Sequence, residues 1–556
     1  MSTAELPLAV SDRYVGLELR KSTAKQGNTR LALQKKDAIS FSNQDSPAAP
    51  HAILKEKGGD VAVLSFFFKM QTHNTTTHTT GLRTNQRLLN TFKHSFAFPD
   101  KLSAFLLLLP RAAVLLCLLV SSSLLLRSVF SSSPSHRFIL PDHISTSPTN
   151  ISHIVFGIGA SVQTWEARSL YTHLWWNPNR YRGYAWLDRD PGETKNPVPY
   201  RVSESCDGVG YSCTTAAVRM ARIVVESYKL GPKNVRWFVM GDDDTVFFTE
   251  NLVTVLAKYD HNQMYYIGGN SESIEQDQIH SYQMAFGGGG FAISYPLAAQ
   301  LVNVMDGCLQ RYSYFYGSDQ RVWACITELG VHLTTERGFH QFDIKGDPYG
   351  ILAAHPLAPL VSLHHLDRLE PLFPNQTRID SLNLLMQAYR VDSSRILQQS
   401  LCYDRRRKWS VSIAWGYSVQ IYPFMVAATD LEVPFQTFKT WRTWSDGPFN
   451  FNTRPVSSDP CWRPVVYFLK QVQEVGSRSI KTRYQRFVAK EEKVCETIEY
   501  GRVMAVKDVT VSSTKMDTEL WMKAAQRQCC EIMDRGRNDN IGISIRKCRN
   551  IETITT

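Results

Sequence analysis

Residues 235–240, Val-Arg-Trp-Phe-Val-Met, form an apolar run that passes straight into Gly241 and three consecutive acids, Asp242, Asp243 and Asp244, before the apolar Val-Phe-Phe of 246–248. Such a run reads as a buried strand. Three repelling carboxylates tethered to the core on both sides must sit where a sheet meets a ligand, at the carboxyl end of the strand in an α/β fold. A divalent Mg²⁺ or Mn²⁺, which seeks oxygen ligands, would neutralise them. Alternation along an extended segment puts Asp242 and Asp244 on one side and Asp243 on the other. The triplet lacks the glycine and terminal glutamate of an EF-hand loop. A solvated acidic turn or a helix N-cap is the alternative reading.

The surrounding pattern supports an α/β sheet. His153–Gly159 reads as a buried strand followed by a helix through Trp165, Arg168, Leu170 and Leu174. Thr249 is placed to cap the next helix. Strands are expected at 265–269, 291–294 and 331–335, with Pro296 in the first turn of a helix and Ser318 capping another that stops at Gly330. Beyond about residue 400 the segments 409–424 and 501–513 alternate apolar and polar residues, as half-buried antiparallel strands do, so a β-rich unit is expected over 401–556.

The first 150 residues are of another kind. Residues 104–126 hold a single charge, Arg111, and as a helix would span about 35 Å, enough to cross a bilayer. A signal-peptide core or a buried helix is the alternative. Residues 1–103, rich in Ser, Thr, Asn and Lys, read as a disordered cytosolic tail, with Met70 as an alternative start; 127–150 read as a stem. Lys93, Lys101 and Arg111 precede or enter the apolar run and Arg127 and Arg137 follow it, a weak bias toward a cytosolic N-terminus. Of the 11 cysteines only Cys117 lies in the run and all the others follow it, an even set suited to disulfides in an oxidising lumen. The sequons at Asn150 and Asn375 lie on the same side. The 62 Lys and Arg against 51 Asp and Glu give a net charge of +11, yet the excess is spread along the chain with no basic block interleaved with aromatics, which argues against nucleic-acid binding.

Three motifs in order, the acidic triplet at a strand end, FGGGGFAIS at 286–294 and GSDQRV at 317–322, resemble the Fringe and β1,3-galactosyltransferase group of inverting glycosyltransferases, and most closely its plant Fringe-related branch, often catalogued as a domain of unknown function. The resemblance covers roughly 151–375 and, for the plant branch, continues toward the C-terminus. It implies a GT-A fold over 151–400, a UDP-sugar donor, Mn²⁺ or Mg²⁺, a glycan or glycoprotein acceptor, β1,3 linkage chemistry and a type II Golgi membrane protein whose catalytic domain is luminal. It further implies that Asp242 and Asp244 hold the metal, that Asp319 is the general base, and that the segment of His364 and His365 completes the metal site; neighbours on a strand point to opposite faces, so at most one of the two should ligate, with His365 favoured and an ordinary core or surface histidine as the alternative for either. Asp242, Asp243, Arg168, Asp188, Gly288 and Gly289 are then expected around the nucleotide and sugar. Gln320 stands where many relatives have a second acid. A helix-start acid is the alternative for Asp319, a surface ion pair for Arg168 and a turn for Asp188. For Gly287–Gly290 the choice is between close backbone approach to a flat substrate and a hinge. Trp175, Trp176, Trp186, Trp441 and Trp444 are candidates for sugar stacking, or for the core. A non-catalytic carbohydrate-binding or scaffold protein is the rival function.

Overall fold

A computed structural model describes residues 147–204, 216–476, 478–489, 495–533 and 539–554, with a few short segments before them. Those segments include three short strands, Ser40–Phe41, His51–Lys55 and Val61–Ser65, which pair antiparallel within the tail that the composition reads as disordered. The apolar run 104–126 lies outside the described residues apart from Ser121 and Ser122, and so does the stem up to 146. Among the described residues no helix is long and apolar enough to cross a membrane. Pro141–Thr556 forms one compact unit.

Its centre is a mixed sheet of seven strands: β1 (Ile154–Gly159), β2 (Arg182–Leu187), β3 (Tyr200–Val202), β4 (Trp237–Asp242), β5 (Tyr266–Gly268), β6 (Phe291–Ser294) and β7 (Leu333–Thr335). The order is β7-β5-β6-β4-β1-β2-β3. Strand β6 runs antiparallel to both its neighbours, and the other pairings are parallel. β1 is buried along its whole length and β4 up to its last residue, which explains their unbroken apolar sequence. Asp242 is the last residue of β4, so the acids begin where the apolar strand stops.

Six helices matter for the site: α1 (Val162–Trp175), α2 (Ala216–Lys229), α3 (Thr249–Leu256), α4 (Tyr295–Arg311), α5 (Ser318–Glu328) and α6 (Arg378–Val391). Side chains of α2, α4 and α5, among them Val218, Leu297 and Val322, share one core cluster with Phe238 and Ile293 of the sheet. Two expected caps are corrected. Thr249 is the first residue of α3, after Phe248, and its hydroxyl is hydrogen-bonded to that of Tyr181. Ser318 is the first residue of α5, and Gly317 is the cap.

The C-terminal region closes into an eight-stranded barrel: β8 (Gln399–Asp404), β9 (Trp409–Ala414), β10 (Ser418–Tyr422), β11 (Val465–Val475), β12 (Ser479–Arg486), β13 (Asp508–Thr514), β14 (Cys529–Met533) and β15 (Asn540–Arg546), in the order β8-β9-β10-β11-β12-β13-β15-β14. Closure leaves no free edge. One hydrophobic core runs from Ile154 and Trp237 of the sheet through Leu385 of α6 to Trp415 and Tyr467 of the barrel, so the barrel is built onto the sheet domain. Four disulfides are formed among the described residues: Cys308–Cys325 between α4 and α5, Cys402–Cys530, Cys461–Cys495 and Cys529–Cys548. Trp175, Trp176 and Trp186 are buried in the core, and the Trp175 indole N–H donates to the carbonyl of Thr245. The core reading holds for these three.

Candidate functional site

At the end of β4 the chain makes a tight turn. The Thr245 hydroxyl accepts from the Asp242 N–H at 2.8 Å and donates to the Gly288 carbonyl at 2.7 Å, fixing the acidic turn against the glycine loop. The three carboxylates then separate. Asp243 is buried and takes hydrogen bonds from Arg168 Nη1 at 2.7 Å and Thr164 Oγ1 at 2.9 Å, both on α1. Asp242 and Asp244 turn together toward His364, whose Nε2 lies 3.1 Å from Asp244 Oδ1 and 3.8 Å from Asp242 Oδ2. One donor atom from each of these three residues falls within 4.8 Å of the others, the only such metal-sized group among the described residues.

The geometry therefore selects His364 and corrects the expectation for His365. The strand before them ends at Leu363, and His365 adopts a left-handed backbone with φ of 55°, so the alternation rule for strands does not apply. The two imidazoles lie against each other, tilted by 31° with centroids 3.9 Å apart, instead of pointing apart. His365 Nδ1 is tied to Asp343 Oδ1 at 2.9 Å, turned away from the acids.

Charge at the cluster is unbalanced. Burial raises Asp242 well above the ordinary carboxylate range, and the carboxylates of Asp244, Asp243 and Asp319 add to this against the pull of Arg168. Asp244 is held at about 2: burial opposes ionisation but is outweighed by the His364 hydrogen bond and by the charges of His364 and Arg168. Burial, reinforced by His365, pulls the His364 imidazole below its ordinary range, against the opposing pull of the Asp244 carboxylate. Two carboxylate oxygens and one imidazole nitrogen, crowded around excess negative charge, fit a divalent ion such as Mn²⁺.

Asp319 stands at the start of α5 in the same cleft as Asp242, Gly287 and Gly159. Its Oδ2 accepts from Gly287 N–H at 3.3 Å and its Oδ1 from Gln320 N–H at 2.9 Å. Burial nevertheless raises it above the ordinary carboxylate value. Gln320 is buried, and its side-chain oxygen folds back to accept from Gly317 N–H at 3.1 Å, doing the work of a helix-start glutamine. The residue at 320 thus braces the helix that presents Asp319.

The glycine loop approaches an imidazole. A Cβ on Gly288 would fall 2.0 Å from His364 Cε1, so only glycine lets this backbone pass the ring. Gly289 N–H donates to Gln341 Oε1 at 2.6 Å and its carbonyl accepts from Ser362, bonds that hold the loop still. Arg168 lies on α1 with Nη2 3.4 Å from Asp244, and it lines a recess with Thr164, Tyr171, Asp367 and Arg378. Asp188 is exposed, and its Oδ1 accepts from Val162 N–H at 2.8 Å, at the start of α1 beside the cap Ser161. Trp441 is stacked on His365 and Trp444 is 54% exposed; neither role was legible in the sequence, because both residues arrive from a segment between two barrel strands.

Residues 171–345 match the Fringe-like family model, and 276–530 match a family described as a protein of unknown function, DUF604. A β-1,3-N-acetylglucosaminyltransferase, lunatic fringe of Xenopus laevis, is 27% identical over 142 residues. That alignment covers 24% of this chain and 37% of the relative, so the chain spans little more than a third of the curated relative it matches. A glycosyltransferase involved in glycosylation of the major capsid of PBCV-1 aligns over 42% of this chain and 98% of its own at 11% identity, with a TM-score of 0.24. Over residues 171–345 this chain is thus similar to Fringe-like glycosyltransferases. Asp242, Asp244 and Asp319 lie inside the Fringe-like match, whereas His364 lies beyond it, inside the second.

Proposed function

We propose that the chain is a metal-dependent, inverting glycosyltransferase of the plant Fringe-related branch, with a GT-A-type sheet, which moves a sugar from a UDP-sugar to a glycan or glycoprotein hydroxyl in a β1,3 linkage. The observation that carries this reading is the convergence of Asp242, Asp244 and His364 at the end of β4, in a cleft shared with Asp319. A divalent cation held by those three residues would stabilise negative charge on the departing diphosphate. Asp319 accepts the proton of the acceptor hydroxyl while that oxygen forms its bond to the anomeric carbon. The bond to the diphosphate breaks on the opposite face, and its electron pair leaves with the diphosphate. The raised proton affinity of Asp319 suits a base working near neutral pH. Arg168 neutralises Asp243 and steadies Asp244, which leaves Asp242 and Asp244 to face the cation.

The chain is further proposed to work in the Golgi lumen, anchored by 104–126 as a single-pass type II protein. Four disulfides on the C-terminal side of that run, and an exposed Asn375, support the luminal assignment. The test is UDP release by the purified full chain against a panel of UDP-sugars, with Mn²⁺ and with chelator. Mn²⁺-dependent release with at least one donor is expected. No release with any donor and acceptor favours a carbohydrate-binding protein that keeps the fold.

A further inference from the structure

A metal-ligating histidine is ordinarily aimed by a hydrogen bond from its second ring nitrogen to a carboxylate or carbonyl. His364 lacks this. Its Nδ1 is buried with no hydrogen-bond partner. What touches the ring instead is the backbone of Gly288 and the ring of His365 at 3.9 Å with an interplanar angle of 31°. His365 in turn is sandwiched: its far neighbour is the indole of Trp441, 4.4 Å away and within 13° of parallel. The aim of His364 is thus set by a column of three rings, and the outermost ring comes from the C-terminal region.

Trp441 is itself anchored. The strand Phe438–Thr440 pairs antiparallel with Ile344–Gly346, and Trp441 N–H donates to the Asp343 carbonyl at 3.0 Å. The same Asp343 holds His365 through its carboxylate, which also accepts from Ser271 at 2.8 Å. Farther along, Phe449 bridges to Ser273 and Asn450 N–H donates to the Glu272 carbonyl at 3.1 Å. The segment 438–450 is therefore a strap fastened to the sheet domain at both ends. Lys345 and Arg368 also lie over the Trp441 ring, at 5.7 and 5.6 Å, so its faces are engaged by protein rather than offered to a sugar.

We propose that Trp441 is a positioning residue for the metal-ligating imidazole of His364, acting through His365, so that the region matched only by the family of unknown function completes the metal site. This rests on the metal reading of Asp242, Asp244 and His364. The test is Mn²⁺ titration of the full chain, followed by the magnetic resonance signal of the free ion. Trp441→Leu, which removes the stack but keeps bulk, weakens Mn²⁺ binding by about 10-fold or more, the range seen when outer supports of metal ligands are lost. Trp441→Phe, which keeps a flat ring, stays within about 3-fold of wild type. Saturating Mn²⁺ restores turnover in Trp441→Leu, which a merely structural lesion would not allow. If Trp441→Leu fails to fold, Trp441→Met fills the same space and is judged by the same criteria. Wild-type affinity in the folded non-aromatic variant, with His364→Ala unable to bind, overturns this proposal alone. A wild type that binds no Mn²⁺ overturns the metal reading and the proposal with it.

Discussion

Gly288 passes so close to His364 that a Cβ on it would lie between 2.0 and 2.4 Å from three atoms of the imidazole. Nothing short of moving the ring or the loop relieves such an overlap. Gly288→Ala should therefore swing His364 away from Asp244 and lower Mn²⁺ affinity by about 10-fold or more. Gly287, where the nearest atom to a new Cβ is 3.7 Å away, should tolerate alanine with Mn²⁺ affinity unchanged. Parallel Mn²⁺ titrations of the two variants check this.

The pH dependence of turnover should report Asp319. Burial raises its proton affinity, so the working carboxylate form is lost as pH falls through a value above the ordinary carboxylate range near 4. The acidic limb of the kcat/KM profile should lie correspondingly high. An acidic limb at the ordinary carboxylate position would show that another group is the base.

Much of this arrangement was readable in advance, and what was not has identifiable physical causes. Trp237–Asp242 declares itself because a strand buried on both faces must be apolar and must then end in something that is not. Asp242, Asp244 and Asp319 come from motifs that are local in sequence. Which of His364 and His365 faces the acids was not legible, because the strand ends at Leu363 and the backbone turns left-handed at His365, a local departure that the sequence does not announce. Asp188 and Gln320 look like site residues by position, yet their side chains are spent on the starts of α1 and α5. Trp441 could not be placed at all, since its partner His365 is far away in sequence and the barrel's strap geometry depends on tertiary pairing. The disulfide pairing was equally closed to sequence reading, because adjacent Cys529 and Cys530 go to different partners.

Glu226 gives a stability prediction with a definite sign. It is 3% exposed on α2, and burial pushes its carboxyl up to about 7. A folded-state value above the unfolded one means that the fold prefers the proton, so this group's stabilisation is full at low pH and is lost as pH rises from about 4.5 to about 7. Glu226→Gln, which stays neutral, should raise the melting temperature at pH 8 by several degrees and change it little at pH 4.5. Thermal melts at the two pH values decide; an equal effect at both would show that Glu226 is already neutral or paired.

Cross-link mapping should recover Cys308–Cys325, Cys402–Cys530, Cys461–Cys495 and Cys529–Cys548 in the unreduced protein. Cys308–Cys325 spans 17 residues and ties α4 to the helix that presents Asp319. Replacing both cysteines by alanine should cost about 3 kcal/mol by loop closure and lower the melting temperature. Free, alkylatable thiols at these positions in protein from the secretory pathway would argue against the oxidising compartment.

The most direct measurement is UDP binding to the full chain by calorimetry, with Mn²⁺ and with chelator, in wild type, Asp244→Ala and Asp319→Asn. Wild type should bind UDP only with Mn²⁺. Asp244→Ala should lose that binding and turnover together, because it removes one of the three converging ligands. Asp319→Asn should bind UDP as wild type does while losing turnover by about 10²–10⁴-fold, as expected for a missing general base. Equal UDP binding by wild type and Asp244→Ala, or wild-type binding untouched by chelator, would contradict the assignment of Asp242, Asp244 and His364 as the metal site.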